Sequence, residues 1–172
     1  RLLPVLAGLR SKLVPLVQAI DARPPPKRIF EGKIFDSEAQ WKFTLHLLET
    51  MGFDLESGRQ DRSTHPFTGG TGLHDVRLTT RVFPNLPLSS VFSTIHEGGH
   101  GIYEQGFSPE HERTTLAQTP SMGLHESQSR LWENIVGRSQ AFWTYFYPRY
   151  QLAFPEQLKD VPISDFLREV NR

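Results

Sequence analysis

The sequence contains no cysteine among its 172 residues. Disulfide bonds and thiolate metal ligands are therefore excluded, and a reducing compartment, the cytoplasm, is the expected location. Neither sign of charge is in excess, because 19 basic residues balance 19 acidic ones. This balance argues against a nucleic-acid partner, since proteins that bind nucleic acid carry a basic excess.

Long uninterrupted apolar runs are also missing from the sequence. No run approaches the roughly 20 residues that a membrane-spanning helix needs. The stretch LLPVLAGL at residues 2–9 has the length of a signal-peptide core, but Arg10 and Lys12 follow it and no small-residue cleavage site does. We therefore expect a soluble protein without a membrane partner.

The length of the chain, with 37% hydrophobic residues, suits one domain with a buried core. We expect residues 1–172 to form that single domain. The sequence starts at arginine rather than methionine and stops at Arg172 within an apparently helical pattern. We therefore expect the domain to be incomplete at both ends and to belong to a longer protein.

Helical periodicity dominates the chain, and one segment departs from it. Helices are predicted over 2–20, 36–52, 88–106, from 121, over 139–153 and from 163. The segment DVRLTTRVF at 75–83 alternates as a strand does, with Val76, Leu78 and Thr80 on one side. The glycines of TGGTG, just before it, predict a turn. The predicted fold class is mainly α with a small β element.

Three glycines, Gly98, Gly99 and Gly101, lie inside the predicted helix SVFSTIHEGGHGIYEQG at 89–105. Each glycine costs a helix about 1 kcal/mol relative to alanine. A bound metal ion would offset this cost, because zinc binding contributes on the order of 10 kcal/mol to a folded site. The bare backbone would also allow a neighbouring element or a substrate to approach closely.

The same helix carries the pattern H-E-x-x-H. His96 and His100 lie one turn apart on one face, so their ring nitrogens converge on one point. Glu97 lies about 100° round the helix, where it can reach a water at that point without binding the metal. Two imidazole ligands and a general base are the parts of a zinc peptidase. Two surface histidines are the alternative, which leaves the glycines unexplained.

A catalytic zinc needs a third protein ligand, and His111, His125 and Glu126 are the downstream candidates. His111 lies in a polar loop and is expected to be solvated. His125 and Glu126 are adjacent at the start of the predicted helix HESQSRLWENIV, so only one of them can face the metal. Glu126 is the predicted ligand, because a carboxylate completes the two-histidine, one-glutamate set of zinc peptidases.

The helix that carries Glu126 also has to pack against the rest of the domain. Its apolar anchors are predicted to be Leu131, Ile135 and Val136. Glu133 is expected either at the surface or behind a metal ligand. The third ligand would thus lie on a separate helix that follows the one carrying H-E-x-x-H.

These segments resemble the carboxypeptidase Taq family of zinc metallocarboxypeptidases. The resemblance rests on HEGGHGIYEQG at 96–106, GLHESQSRLWEN at 123–134, HPF at 65–67 and DVRLTTR at 75–81. It implies that His96, His100 and Glu126 bind zinc, or cobalt in its place, and that Glu97 is the catalytic base. It also implies a helical fold around a deep groove, a peptide substrate shortened from its C-terminus, and a homodimer.

Family members are much longer than this chain. The resemblance places the arginine that binds the substrate's terminal carboxylate, and a tyrosine near the reacting carbonyl, beyond Arg172. Within the chain, His65, Arg77 and His125 are the candidate substrate contacts. Arg77 can bind a carboxylate of the substrate or of Asp75, and His65 is held extended by the following proline.

Two other functions remain open at this point. One is a truncated zinc-binding paralogue without peptidase activity. The other is a zinc peptidase of different cleavage specificity, which cuts internally or from the N-terminus.

Overall fold

The structure is a computed structural model, and it describes residues 2–172. It is mainly helical with one small sheet, as the sequence predicts. The helices are α1 (Leu2–Asp21), α2 (Ser37–Met51), α3 (Pro87–Gln105), α4 (Met122–Arg130), α5 (Gln140–Ala153), α6 (Pro155–Leu158) and α7 (Ile163–Val170). The strands are β1 (Gly58–Arg62), β2 (Phe67–Gly72) and β3 (Asp75–Thr80).

Helix α2 shows how local sequence sets an element's ends. The carboxylate of Asp36 accepts a hydrogen bond from the backbone N–H of Ala39 at 2.7 Å, which caps the first turn. Gly52 ends the helix with a φ of +97°, a left-handed conformation that favours glycine. Both predicted ends of this helix are confirmed.

The sheet has the strand order β1-β3-β2, with β1 parallel and β2 antiparallel to β3. The predicted strand β3 is confirmed, and its Val76, Leu78 and Thr80 are buried. The turn predicted for TGGTG is wrong, because these residues belong to the edge strand β2. Gly70 is needed there for close pairing: a Cβ atom would lie 2.1 Å from the carbonyl oxygen of Asp75.

Helix α3 lies at the centre of the fold, and its glycines lie where neighbouring elements approach it. A Cβ atom on Gly98 would lie 2.8 Å from the Leu48 side chain of α2. One on Gly99 would lie 2.8 Å from the backbone of Ser129 in α4, and one on Gly101 would lie 2.7 Å from an aromatic ring beside the sheet. Close packing on three sides therefore accounts for all three glycines.

A buried polar network ties the sheet to two helices. The amide of Gln60 on β1 donates to the hydroxyl of Thr44 on α2 at 2.9 Å and accepts from the hydroxyl of Thr94 on α3 at 2.9 Å. All three side chains are buried. Since a buried polar group costs free energy unless it is hydrogen-bonded, this network favours one arrangement of α2, β1 and α3.

The hydrophobic core lies mainly between α2, α3, α5 and α7, and it is rich in aromatic side chains. Its fully buried aromatic residues are Phe35, Trp143, Tyr150, Phe154 and Phe166. Their rings pack edge to face or tilted. This core supports α3 on the side away from the sheet.

Helix α4 continues into a π-helical segment, Leu131–Val136, which changes the side of the helix that faces the core. Leu131 and Ile135 are exposed, so the prediction that they anchor the helix is wrong; Val136 does pack against the core. A π-helix has more residues per turn than an α-helix, which moves the apolar side chains out of the predicted phase. Trp132 and Val136 face inward instead.

Helix α1 makes no buried contact with the rest of the described chain. It is the one helix among residues 2–172 that is long and apolar enough to cross a membrane, judged by length and composition alone. The expectation of no membrane partner therefore stays a prediction.

Candidate metal centre

Helices α3 and α4 bring the three predicted metal ligands together. Nε2 of His96 lies 3.6 Å from Oε2 of Glu126, and Nε2 of His100 lies 3.3 Å from the same oxygen. One donor atom from each side chain lies within 4.8 Å of the other two. Ligands at zinc–ligand distances in a tetrahedral site lie about 3.4 Å apart. These side chains therefore fit zinc with little rearrangement, and their role as ligands stays a prediction.

The ring of His96 is oriented by Glu133 from the π-helical segment. Nδ1 of His96 lies 2.8 Å from Oε2 of Glu133. An ionised carboxylate only accepts hydrogen bonds, so Nδ1 donates and Nε2 keeps its lone pair for a metal. The hydrogen bond to Glu133 also raises the pKa of His96, which makes the imidazole a more basic ligand.

The ring of His100 is oriented by a second pair of residues. Nδ1 of His100 lies 2.5 Å from Nδ1 of His125, and Nε2 of His125 lies 2.5 Å from Oε1 of Glu104. Glu104 accepts from His125, so Nδ1 of His125 is left to accept from His100. Nε2 of His100 then keeps its lone pair towards Glu126.

Burial keeps the His100 imidazole neutral. Burial, with a smaller contribution from the neighbouring His125, lowers the pKa of His100 to about 4. A histidine must be neutral to bind a metal, so His100 is ready to do so at neutral pH.

Glu126 is held as an ionised carboxylate. It accepts hydrogen bonds from Nε of Arg130 at 2.8 Å and from the hydroxyl of Ser129 at 3.2 Å. Burial raises the pKa of Glu126, but the hydrogen bond from Arg130, the nearby His96 and the bond from Ser129 together outweigh it. The pKa of Glu126 is lowered as a result, which suits a ligand for a cation.

Glu97 lies outside the cluster of donor atoms and has a different environment. Its Oε2 accepts a hydrogen bond from the hydroxyl of Thr68 on β2 at 2.6 Å, and the same hydroxyl lies 3.1 Å from the backbone oxygen of Glu97. Burial is the main cause that raises the pKa of Glu97 above that of an ordinary glutamate. A carboxylate with a raised pKa is better matched to general-base work near neutral pH.

Two cavities lie beside these residues, and the Thr68–Glu97 pair contributes to both. One cavity, of about 550 Å³, is lined by Glu97 and His96 together with His65, Arg81, Arg130 and Arg138. The other, of about 570 Å³, is lined by Thr68 and the following residues of β2 together with Glu104, Arg113 and His125. Each of the two cavities therefore offers room for a ligand, one next to Glu97 and the other next to its hydrogen-bond partner Thr68.

The candidate substrate contacts have three different placements. His65 lines the cavity next to Glu97, as expected for a residue of the cleft. Arg77 is exposed, lines neither cavity, and binds Asp75 through Nε at 2.7 Å and a second nitrogen at 3.2 Å. His125 lines the second cavity, but its side chain is buried, and its two ring nitrogens are hydrogen-bonded to His100 and Glu104. Contact of any of them with a substrate stays a prediction.

His111, the rejected ligand candidate, is exposed in a short 3-10 turn, as predicted. Sequence reasoning missed Thr68 and Glu104. Glu104 could have been found, because it follows His100 by one helical turn on the same face. Thr68 could not, because its stretch of glycines indicates a turn and carries no sign of contact with Glu97.

Comparison with known proteins gives a consistent result along the whole chain. The family model for carboxypeptidase Taq (M32) metallopeptidase matches residues 1–172. Thermostable carboxypeptidase 1 from Thermus thermophilus is 44% identical over 172 residues, which are 99% of this chain and 33% of that protein. Carboxypeptidase 1 from Bacillus subtilis is 40% identical over 97% of this chain and 34% of its own length.

The fold matches solved structures as well. The crystal structure of the M32 carboxypeptidase from Deinococcus radiodurans R1 superposes with a TM-score of 0.93 at 45% identity, over 98% of this chain and 34% of that one. The chain thus spans about a third of the length of the relatives it matches. On the match of its sequence, its fold and its His-His-Glu cluster, the chain belongs to the carboxypeptidase Taq (M32) family of metallopeptidases.

Proposed function

We propose that this chain provides the zinc-binding centre of a metallocarboxypeptidase, which releases C-terminal amino acids from peptides. The observation that carries the proposal is the convergence of His96, His100 and Glu126, with Glu97 next to them at the wall of a cavity. Membership of a family of metallopeptidases supports the same conclusion.

His96, His100 and Glu126 would hold the ion through two imidazole nitrogens and a carboxylate oxygen. When bound, zinc supplies Lewis acidity, which polarises a peptide carbonyl and makes a water more acidic. Glu133 and His125 keep the two imidazoles in the orientation and tautomer that leave Nε2 free.

Glu97 acts as the general base in this proposal. Its carboxylate accepts a proton from the attacking water and then donates that proton to the nitrogen of the leaving amino acid. The hydrogen bond from Thr68 fixes which oxygen of Glu97 points to the reaction. Because Glu97 does not share the ligand cluster, its removal should leave metal binding intact.

The best candidate in this chain for binding a substrate carboxylate is Arg81. It lines the same cavity as Glu97, and none of the ion pairs found among residues 2–172 involves it. Arg130 lines that cavity too, but its guanidinium is engaged by Glu126 and Glu133. The Arg81 guanidinium stacks over the Phe83 ring at 5.5 Å, which leaves its N–H groups available for a terminal carboxylate.

The remaining parts of the proposal are a peptide as substrate, cobalt as a working substitute for zinc, a homodimer and a location in the cytoplasm. Light scattering during size-exclusion chromatography measures the oligomer directly, and a monomer would reject the dimer. Fractionation of the native cells tests the location.

The test uses a chimera in which this chain replaces the matching third of the Thermus thermophilus protein. We expect the chimera to bind zinc and to release only the last residue of a peptide. Glu97→Gln should retain zinc while the rate falls by at least about 10²-fold, the scale of a lost general base. Loss of zinc from this variant would mean that Glu97 is a ligand.

A matched substrate separates the alternatives. The same peptide with an amidated C-terminus lacks the terminal carboxylate, so a carboxypeptidase should leave it intact. Internal cleavage of both peptides would point to a peptidase of different specificity. Full zinc content with no turnover of either peptide would point to a zinc-binding module without peptidase activity.

A further inference from the structure

Helix α1 carries a continuous row of apolar side chains along one side. The row, which we call the α1 seam, consists of Leu2, Leu6, Leu9, Leu13, Leu16 and Ile20. Its spacing alternates between four residues and three, the pattern by which helices pack against other helices. Every side chain of the seam is between 44% and 74% exposed.

Such a helix is not stable alone in water. Isolated helices of this length gain most of their stability from packing an apolar face, and α1 also contains Gly8 and Pro15, which both weaken a helix. No residue of α1 is buried against the rest of the described chain. A contiguous apolar surface of this kind marks an interaction site.

The comparison with a longer relative shows that α1 keeps its place in a larger protein. Helix α1 makes up 20 of the 172 residues, more than a tenth of the chain. The superposition on the Deinococcus radiodurans structure reaches a TM-score of 0.93 over 98% of this chain, which requires α1 to superpose with the rest. The helix therefore holds the same place in that protein, although nothing within this chain packs against it.

The distribution of charge argues for a protein partner rather than a lipid bilayer. Arg10 and Lys12 lie near the middle of α1, where a spanning helix would carry them into the hydrocarbon. Ser11 and Gln18 lie on the side opposite the seam. Further exposed apolar residues widen the apolar side beyond the seam: Leu3, Val5, Val14 and Val17. A broad apolar side with a narrow polar strip behind it is typical of a helix that packs against other helices.

We propose that the α1 seam docks against helices of the M32 fold that lie outside the third matched by this chain. The proposal rests on family membership and fold, and it does not depend on peptidase activity. Its occupant is a helical surface with an apolar seam of its own. Acidic side chains are expected beside that seam, opposite Arg10 and Lys12.

The experiment compares the isolated chain with the chimera by limited trypsin digestion, with cleavage at Arg10 and Lys12 as the readout. In the isolated chain α1 is unsupported and should be cut rapidly. In the chimera we expect cleavage at these sites to be at least about tenfold slower, because cleavage follows the population of the opened helix.

Two double variants test whether the seam makes the contact. Leu9→Gln with Leu13→Gln alters the seam with residues of good helix propensity and adds no trypsin site. Ala7→Gln with Ser11→Gln makes matched changes on the other side of α1. The seam variant should restore rapid cleavage in the chimera and leave the melting temperature of the isolated chain unchanged. The matched variant should alter neither the cleavage rate of the chimera nor the melting temperature of the isolated chain.

Each other outcome overturns the proposal. If trypsin cuts α1 equally slowly in the parent chimera and in the chimera with the seam variant, the seam is not docked. A lower melting temperature of the isolated chain carrying the seam variant would mean that α1 packs within this chain. A seam-dependent dimer of the isolated chain would assign the seam to a second copy. Seam-dependent flotation with vesicles of phosphatidylcholine and phosphatidylglycerol would assign it to a membrane. All of these readouts are independent of turnover.

Discussion

At the scale of single residues, both imidazoles of the predicted ligand pair are held from behind at Nδ1. Glu133 holds His96, and the Glu104–His125 pair holds His100. The two supports come from different places: one from the π-helical segment after α4, the other from α3 and α4 together. Both leave Nε2 directed towards Glu126, which is the orientation that two imidazole ligands of one metal ion need.

The placement of His125 makes a prediction about zinc affinity. His125→Phe keeps an aromatic ring but removes the nitrogen that accepts from His100. We expect zinc to bind the variant about 10- to 100-fold more weakly, the usual cost of losing a residue that supports a metal ligand. Competition with a fluorescent zinc chelator measures the change.

His111→Phe is the matched control, since His111 is exposed in a 3-10 turn and is not hydrogen-bonded to any of the predicted ligands. It should leave zinc affinity unchanged. If His125→Phe instead keeps its zinc affinity and raises KM in the chimera, then His125 contacts the substrate, as the sequence had suggested.

The hydroxyl of Thr68 makes a second prediction, concerning rate. Thr68→Val keeps the shape of the side chain and removes the hydrogen bond to Glu97. We expect kcat of the chimera to fall about tenfold with zinc content unchanged, because a hydrogen bond to a charged group contributes about 1.5–3 kcal/mol.

Thr71→Val is the control for this change. Thr71 lies on the same strand and donates to Asp75, away from Glu97. An equal loss of kcat in both variants would mean that the strand as a whole, rather than the Thr68 hydroxyl, supports catalysis.

At the scale of elements, the position of α3 determines the site. The glycines of α3 let α2, α4 and the sheet approach its backbone, and this approach sets the distance between the histidines on α3 and Glu126 on α4. The π-helical segment adds the second requirement, because it turns Glu133 towards His96. The candidate metal centre therefore depends on how closely α4 packs against α3, and on the π-helical segment, which carries no predicted ligand itself.

Gly99→Ala tests this dependence. The added methyl group would lie 2.8 Å from the Cα atom of Ser129, so α4 has to move and Glu126 moves with it. We expect zinc affinity to fall at least about tenfold, since metal sites tolerate little displacement of a ligand. Isothermal titration with zinc gives the affinity.

Gly98→Ala provides the comparison on the same helix. Its methyl group would meet the side-chain ends of Leu48 and Met51, which can move aside. The change also raises the helix propensity of the position by the same amount as Gly99→Ala does. Zinc affinity should be retained even where stability changes. Equal zinc affinities in the two variants would show that the approach of α4 does not control the site.

At the scale of the whole molecule, the chain corresponds to about a third of its relatives. The three predicted ligands and their supporting residues all lie between His96 and Glu133, together with the Thr68 contact. The cavities beside them offer two guanidiniums outside the ion pairs of the described residues, those of Arg81 and Arg113. The chain therefore contains the candidate metal centre but few groups that could bind a substrate.

We therefore expect the isolated chain to bind one zinc and to turn over a blocked dipeptide at least about 10²-fold more slowly than the chimera, because positioning of the substrate contributes several kcal/mol. Metal analysis and release of the last residue, with zinc and then with cobalt, measure both properties. Equal turnover would place the carboxylate-binding group within this chain. Arg81→Ala would then abolish activity, and Arg77→Ala, which removes a residue that lines neither cavity, would not.

The sequence alone determined the parts of this protein that are local in the chain. Periodicity placed the long helices, and H-E-x-x-H with a glutamate on a following helix indicated the ligand set. These signals depend on spacing along one element, which a sequence displays directly. Even the alternation of β3 was visible, because one of its faces is buried.

Only the tertiary structure decided the features that depend on contacts between distant segments. The glycines of α3 are explained by neighbours on three sides, and the glycines of β2 by strand pairing rather than a turn. The π-helical segment left two of the three predicted anchors, Leu131 and Ile135, at the surface, and Thr68 reached Glu97 across 29 positions of sequence. Packing and long-range hydrogen bonds have no period along the chain, so they become visible only once the elements have come together.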